Sequence, residues 1–338
     1  MIVHSAQAGG AAFSQDGKKV YSVENAGEFV VLDLEKATSE PVSPARLPKD
    51  SEMQDVDRAK DGSLLLLTEE GLWKWKGGKE GVDRLWKAPA SVRFFNVAVN
   101  PVNGEILILG GFKAKGENGY YGLKLYWWEA GRKEPEEVHC RRVNEIQCIA
   151  FTMNGELLFS SQGDLWLGGI DGSEVRRDLT GDRILPLATL ETYGGTPNGE
   201  GIRDLAAAGR FVYARISRLY GSGWSEGMVQ FELPKKEGAA KPDGAAPENE
   251  SSWERTAKLM LTVKSIAGDG DGLCTSPDGK TVHFYTRESS ASSPERHRLM
   301  EDEADPNPGN LSQWARWHAG EAGGKENAAK KSEIRKQK

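Results

Sequence analysis

Short runs rich in Val, Leu, Phe, Tyr and Trp recur along the whole chain, each bounded by a Gly-containing break, which is the pattern of many short strands. The clearest is Ser276 to Thr286, Ser-Pro-Asp-Gly-Lys-Thr-Val-His-Phe-Tyr-Thr, a tight turn feeding an alternating strand. Weaker copies precede it at Ser14 to Tyr21, Lys60 to Leu65, Asn100 to Leu107, Thr152 to Phe159 and, in degenerate form, Ala207 to Tyr213. Their turn glycines, Gly17, Gly62, Gly104, Gly155, Gly209 and Gly279, are spaced by 45, 42, 51, 54 and 70 residues. Periods near 40 to 50 belong to the blades of β-propellers. Asp-Gly and Asn-Gly recur because the turn needs positive φ, which Gly takes at no steric cost, so these residues hold a turn and are not catalytic candidates.

The pattern predicts an all-β, six-bladed β-propeller over residues 1–319, with seven blades as the alternative. Each turn follows a small, apolar innermost strand, at Gly10 to Ser14, Asp55 to Ala59, Asn96 to Asn100, Cys148 to Thr152, Asp204 to Ala208 and Gly272 to Ser276. Third strands carry most of the tryptophans (Trp73, Trp75, Trp127, Trp128, Trp166, Trp314 and Trp317), whose expected work is packing between blades. Outer strands are expected at Val82 to Trp86, Glu137 to Arg142, Glu174 to Asp178 and Arg255 to Val263. The sixth unit shows none after Trp317, so Ile2 to Ser5 is expected to supply it and close the ring. Residues 235–252 have almost no apolar bulk and read as a flexible insertion. Residues 320–338 read as a disordered, charged tail.

Charge narrows the partners. Lys plus Arg number 44 against 50 Asp plus Glu, a net charge of −6, so nucleic acid is not an expected partner. No run approaches the roughly 18 apolar residues of a membrane span. Cys140, Cys148 and Cys274 have no metal-site or disulfide spacing and read as buried small hydrophobes. The start is too short for a secretory signal, so a native Met1 implies the cytoplasm, and a trimmed signal implies the periplasm or export.

Ser276-Pro277-Asp278-Gly279-Lys280-Thr281-Val282-His283-Phe284 resembles the S-P-D-G-K motif of TolB-type, WD40-like β-propeller repeats. Ser14 to Tyr21 matches it with Gln15 in the Pro position. The resemblance implies a propeller spanning nearly the whole chain. It says little of chemistry, since such repeats serve scaffolds, peptide binders and enzyme domains alike.

Long loops are expected at Lys113 to Gly122, Leu185 to Gly201, Ser217 to Gly227 and Arg287 to Asn310, all decorating one face. Tyr120, Tyr121, Tyr220 and Trp224 give two of them the composition of a binding surface, and Phe94, Phe95, Tyr193 and Arg203 are expected around the same mouth. The first functional reading is therefore a monomeric, non-catalytic scaffold without cofactor that recognises a protein or peptide through this face. The alternative is a propeller hydrolase or lyase acting on a sugar or lactone. It would use Ca or another divalent cation in the central channel, held by Asp57, Asn96, Asp204 and Asp271. The five histidines are scattered, and neither a His-based dyad nor a nucleophile elbow is present in the sequence.

Overall fold

The structure, a computed structural model, describes residues 10–23, 29–36, 38–48, 51–78, 81–113, 120–129, 131–140, 146–161, 164–173, 176–185, 201–220, 223–233, 258–264, 272–286, 297–300 and 312–318. These form six four-stranded sheets and no helix. Sheet 1 holds β1 (Ala11–Phe13), β2 (Lys19–Val23), β3 (Phe29–Asp33) and β4 (Thr38–Pro41). Sheet 2 holds β5 (Met53–Arg58), β6 (Leu64–Thr68), β7 (Gly71–Trp75) and β8 (Asp83–Lys87). Sheet 3 holds β9 (Val92–Val99), β10 (Ile106–Lys113), β11 (Tyr120–Trp128) and β12 (Glu136–Val138). Sheet 4 holds β13 (Ile149–Phe151), β14 (Leu157–Ser161), β15 (Asp164–Ser173) and β16 (Arg176–Leu185). Sheet 5 holds β17 (Gly201–Ala208), β18 (Phe211–Tyr220), β19 (Gly223–Glu232) and β20 (Lys258–Lys264).

Sheet 6 departs from this simple meander. Its order is β21 (Gly272–Thr275), β22 (Thr281–Thr286), β24 (Ser312–His318) and then β23 (His297–Met300) at the edge, parallel to β24. The outer position expected for Ile2 to Ser5 is thus taken by a strand drawn from the stretch 287–310, while Ile2 to Ser5 itself lies outside the described residues. So do residues 235–252 and 320–338. The innermost strands β1, β5, β9, β13, β17 and β21 stand side by side in that order, and β21 returns to β1. The fold is a β-propeller.

The turns form where the sequence places them. All six turn glycines have positive φ, between 55° and 85°. In the best-formed copies the aspartate accepts from the amide two residues on: Lys18 donates to Asp16 and Lys280 to Asp278, each at 3.1 Å. The serine two residues before each aspartate donates to the same carboxylate at 2.6 Å. An alternating strand sends successive side chains to opposite faces, so each sheet feeds two interfaces. Leu64 and Leu66 enter the layer with Tyr21, Phe29, Trp73 and Trp75 between sheets 1 and 2. Leu65 and Leu67 enter the layer with Phe94, Val97 and Tyr126 between sheets 2 and 3. The core is therefore a series of thin inter-sheet layers, in which each buried Leu contributes roughly 1.5–3 kcal/mol. Trp73, Trp75 and Trp127 are buried in these layers as expected.

Among the described residues, two neighbouring pairs of sheets are tied at the rim. The amide of Val82, at the start of sheet 2's outer strand, donates to the carbonyl of Ala45 after sheet 1's. His139 and Leu179 likewise tie the outer strands of sheets 3 and 4, with two hydrogen bonds of 2.9 Å.

Candidate functional site: the central channel

The innermost strands enclose a cavity of about 400 Å³. Ala11, Ala12, Val56, Val97, Ala98, Ile149, Ala150 and Ala206 give it small apolar walls, and the polar groups Asp55, Asp57, Asn96 and Asp204 stand in their midst. These four side chains share one construction. Asp55 Oδ1 accepts from the next amide of its own strand, Val56, at 2.8 Å, and Oδ2 accepts from Val97 on the neighbouring sheet at 2.6 Å. Asp57 repeats this two residues on, with Arg58 at 2.6 Å and Val99 at 2.7 Å. Asp204 repeats it between sheets 5 and 6, with Leu205 at 2.8 Å and Leu273 at 2.6 Å. Asn96 carries the series from sheet 3 to sheet 4: its amide donates to Asp55 at 2.5 Å and its oxygen accepts from Ile149 at 2.8 Å. No ladder joins the described innermost strands of adjacent sheets, and these side chains clip them together instead.

Two backbone donors favour an ionised carboxylate, but burial opposes it more strongly. Burial pushes Asp57 up to about 6, against the pull of the Arg58 and Val99 amides. Burial likewise raises Asp204 to about 6, against the pull of Arg215, which stands opposite it across β17 and β18, and repulsion from Asp57 adds to the rise. Asp55 is driven well above the usual carboxylate range by burial, with repulsion from Asp204 in the same sense. The mutual repulsion means that the carboxylates of sheets 2 and 5 feel each other across the channel.

Among the described residues the donor set does not make a cation cage. Both ends of the Asn96 amide are engaged, and among the described residues no three His, Cys, Asp or Glu side chains gather closely enough to hold one ion. Asp271, the fourth member of the expected set, lies outside the described residues.

Of the residues expected to bind a partner, Phe94 is corrected by its surroundings. It is fully buried, with its ring 5.0 Å from Trp86 and 5.7 Å from Tyr126, and it packs sheet 2 on sheet 3 with no face left for a ligand. Phe95 is half-buried and packs towards the layer between sheets 3 and 4. Two stretches expected to be loops are partly ladder. Phe112 pairs with Tyr121 and Lys113 with Tyr120, and the β18–β19 ladder runs through Leu219 with Trp224 to Tyr220 with Gly223. Tyr120, Tyr121, Tyr220 and Trp224 therefore belong to the ends of two projecting hairpins in sheets 3 and 5. Arg203 sits at the bulge of β17 between Ile202 and Asp204, and Tyr193 lies outside the described residues. Sequence reasoning missed the role of Asp55 and the inter-sheet clips.

No family model matches the chain, and no curated protein matches it. Solved structures do. A calcium-binding protein, regucalcin, from Agrobacterium tumefaciens is 12% identical with a TM-score of 0.54, over 85% of this chain and 84% of its own. A structural-genomics target provisionally described as a gluconolactonase is 12% identical with a TM-score of 0.51, over 81% and 83%. The β-propeller domain of Swd1 from Myceliophteria thermophila is 12% identical with a TM-score of 0.44, over 82% and 79%. At these identities the likeness is one of fold.

Proposed function

We propose that this propeller is a hydrolase or lyase acting on a small, oxygen-rich molecule of the sugar or lactone class in its central channel, with Asp57 and Asp204 as the proton-transferring groups. The observation that carries this reading is that both carboxylates line one cavity of about 400 Å³ while burial holds each near 6. That is the range in which a carboxyl group both takes and returns a proton near neutral pH. Each carboxylate oxygen has two lone pairs, and one backbone N–H occupies one of them, leaving a second to meet water or a substrate hydroxyl. The cavity lies within the size range of small-molecule sites. The description of one propeller of similar shape as a gluconolactonase agrees with this class of substrate.

The test is proton release from a panel of aldonolactones, together with formation of unsaturated product from uronate oligosaccharides. Turnover is expected for one of the two classes, with an acid limb near pH 6, and it is expected to fall roughly 100-fold or more in Asp57→Asn and Asp204→Asn. No turnover above the buffer rate with either class would overturn the proposal.

A second reading is the non-catalytic scaffold, and one observation favours it: the same carboxylates are already employed in holding neighbouring sheets together. The partner, a protein or peptide, would then bind at the hairpin ends of sheets 3 and 5. Loss of capture in Tyr121→Ala with Trp224→Ala, with no change in melting, supports it.

A further inference from the structure

Carboxylates and cations are separated along the central cavity. β5 runs beside it, and the consecutive residues Asp55 to Lys60 all line it. A strand advances about 3.3 Å per residue, so Arg58 stands one step outward from Asp57, and Lys60 follows two residues later. Outward is towards the turns, where Gln15, Lys60 and Pro101 are exposed and the cavity meets solvent. Arg58 and Lys60 are the only cations among the described lining residues.

Arg58 differs from the other described half-buried arginines. Arg93 is paired with Glu52 at 3.0 Å, Arg132 with Glu129 at 3.1 Å and Arg177 with Glu136 at 3.5 Å. Arg58 is likewise half-buried, but its guanidinium makes no hydrogen bond or ion pair with any described residue. None of its nitrogens is sealed from solvent. Asp57 is near enough to feel its charge, yet the two oxygens of Asp57 are held by backbone amides, those of Arg58 itself and of Val99. Lys60 donates its amine to the Val102 carbonyl at 2.8 Å, a neutral acceptor that leaves the positive charge unbalanced. A guanidinium offers a planar fork of donors that matches a carboxylate, and a partly dry wall strengthens that pairing.

We propose that Arg58, supported by Lys60, is the specificity-determining residue of the channel and binds the carboxylate of a uronate sugar, whose hydroxyl groups then lie towards Asp57 and Asp204. The inference rests on the reading of the channel as a sugar-class site and adds the charge of the substrate and the direction in which it lies.

Binding without turnover tests it. D-Galacturonate and D-glucuronate are titrated calorimetrically into the full-length protein at neutral pH, each against its neutral counterpart, D-galactose or D-glucose. At least one acid is expected to bind roughly ten-fold or more tightly than its counterpart, with the preference shrinking as salt is raised. Arg58→Gln, with its melting temperature checked, should bring acid and neutral sugar level, and Arg58→Lys should keep part of the preference. Equal affinity for acid and neutral sugar in the natural protein would overturn the subsite, and so would binding of neither. An undiminished preference in Arg58→Gln would do the same, and if that variant does not fold, a preference in the natural protein that salt leaves unchanged would take its place. An Arg58-dependent preference without turnover of any lactone or uronate oligosaccharide would leave the subsite standing and remove the catalytic reading. Turnover of neutral lactones without any preference for acids would remove the subsite alone.

Discussion

A Cβ built on Gly10 would stand 1.4 Å from Oδ1 of Asp55, so the carboxyl of sheet 2 fills the volume that any larger residue of sheet 1 would need. The same Cβ would lie 2.7 Å from the Val56 amide nitrogen, which Asp55 already holds. Gly10→Ala must therefore push two innermost strands apart, at a cost of roughly 1–3 kcal/mol, as for overpacking elsewhere. A thermal melt reads this directly, and an unchanged melting temperature would contradict the contact.

Gly62 and Gly78 both have positive φ, 85° and 63°, but only Gly62 lies under a neighbour's side chain. Alanine at Gly78 is expected to cost only the backbone term of about 1–2 kcal/mol. Alanine at Gly62 should cost more, because Gln15 approaches the new methyl to 2.5 Å. Combining Gly62→Ala with Gln15→Ala should return part of the loss, and urea unfolding of the double-mutant cycle measures that coupling.

Phe94→Ala is expected to lower stability by about 3–5 kcal/mol, as for a buried aromatic removed from a core. Its signature is a lower urea midpoint. A variant with the midpoint of the natural protein would show that the ring is not packed between Trp86 and Tyr126.

The channel carboxylates set the pH dependence of stability. Asp57 and Asp204 near 6, and Asp55 well above the ordinary value of 3.8, bind protons more tightly folded than unfolded. Their contribution is complete below about pH 4 and is lost as pH rises through about 6. Asp61, held at about 2 by Lys74 and Ser63, acts in the other sense, and its contribution is lost as pH falls towards about 2. The urea midpoint is therefore expected to peak near about pH 3–4 and to decline as pH rises through about 6. Asp57→Asn with Asp204→Asn should flatten the alkaline side. A midpoint rising steadily from about pH 5 to about pH 8 would refute this assignment.

Local chemistry was legible in the sequence and contacts between sheets were not. Gly17, Gly62, Gly104, Gly155, Gly209 and Gly279 mark the turns because positive φ is a property of one residue, and the apolar runs around them mark the strands for a similar reason. Asp55, Asn96 and Asp204 each stand directly before a Val or Leu in the run leading to a turn, a recurrence visible in the sequence. Their clipping role was not visible, since it depends on a neighbouring sheet's amide more than 40 residues away along the chain. Phe94 looked like a mouth residue from its place before an innermost strand, yet the β-bulge at Leu109 and Gly110 and the bulk of Trp86 make it core. β23 lay outside any reading from order along the chain, because it takes the edge beyond the strand that follows it and runs parallel to that strand.

The hydrogen bonds that join Ala45 to Val82 and His139 to Arg177 and Leu179 run around the circumference of the molecule, at right angles to its radial sheets. Among the described residues they couple sheet 1 with sheet 2 and sheet 3 with sheet 4, while the Asp55 and Asp57 clips carry the coupling on from sheet 2 to sheet 3. The cooperative unit of this protein is accordingly larger than its sequence repeat. The rim amides of Val82, His139 and Leu179 should exchange with solvent only when two neighbouring sheets open together.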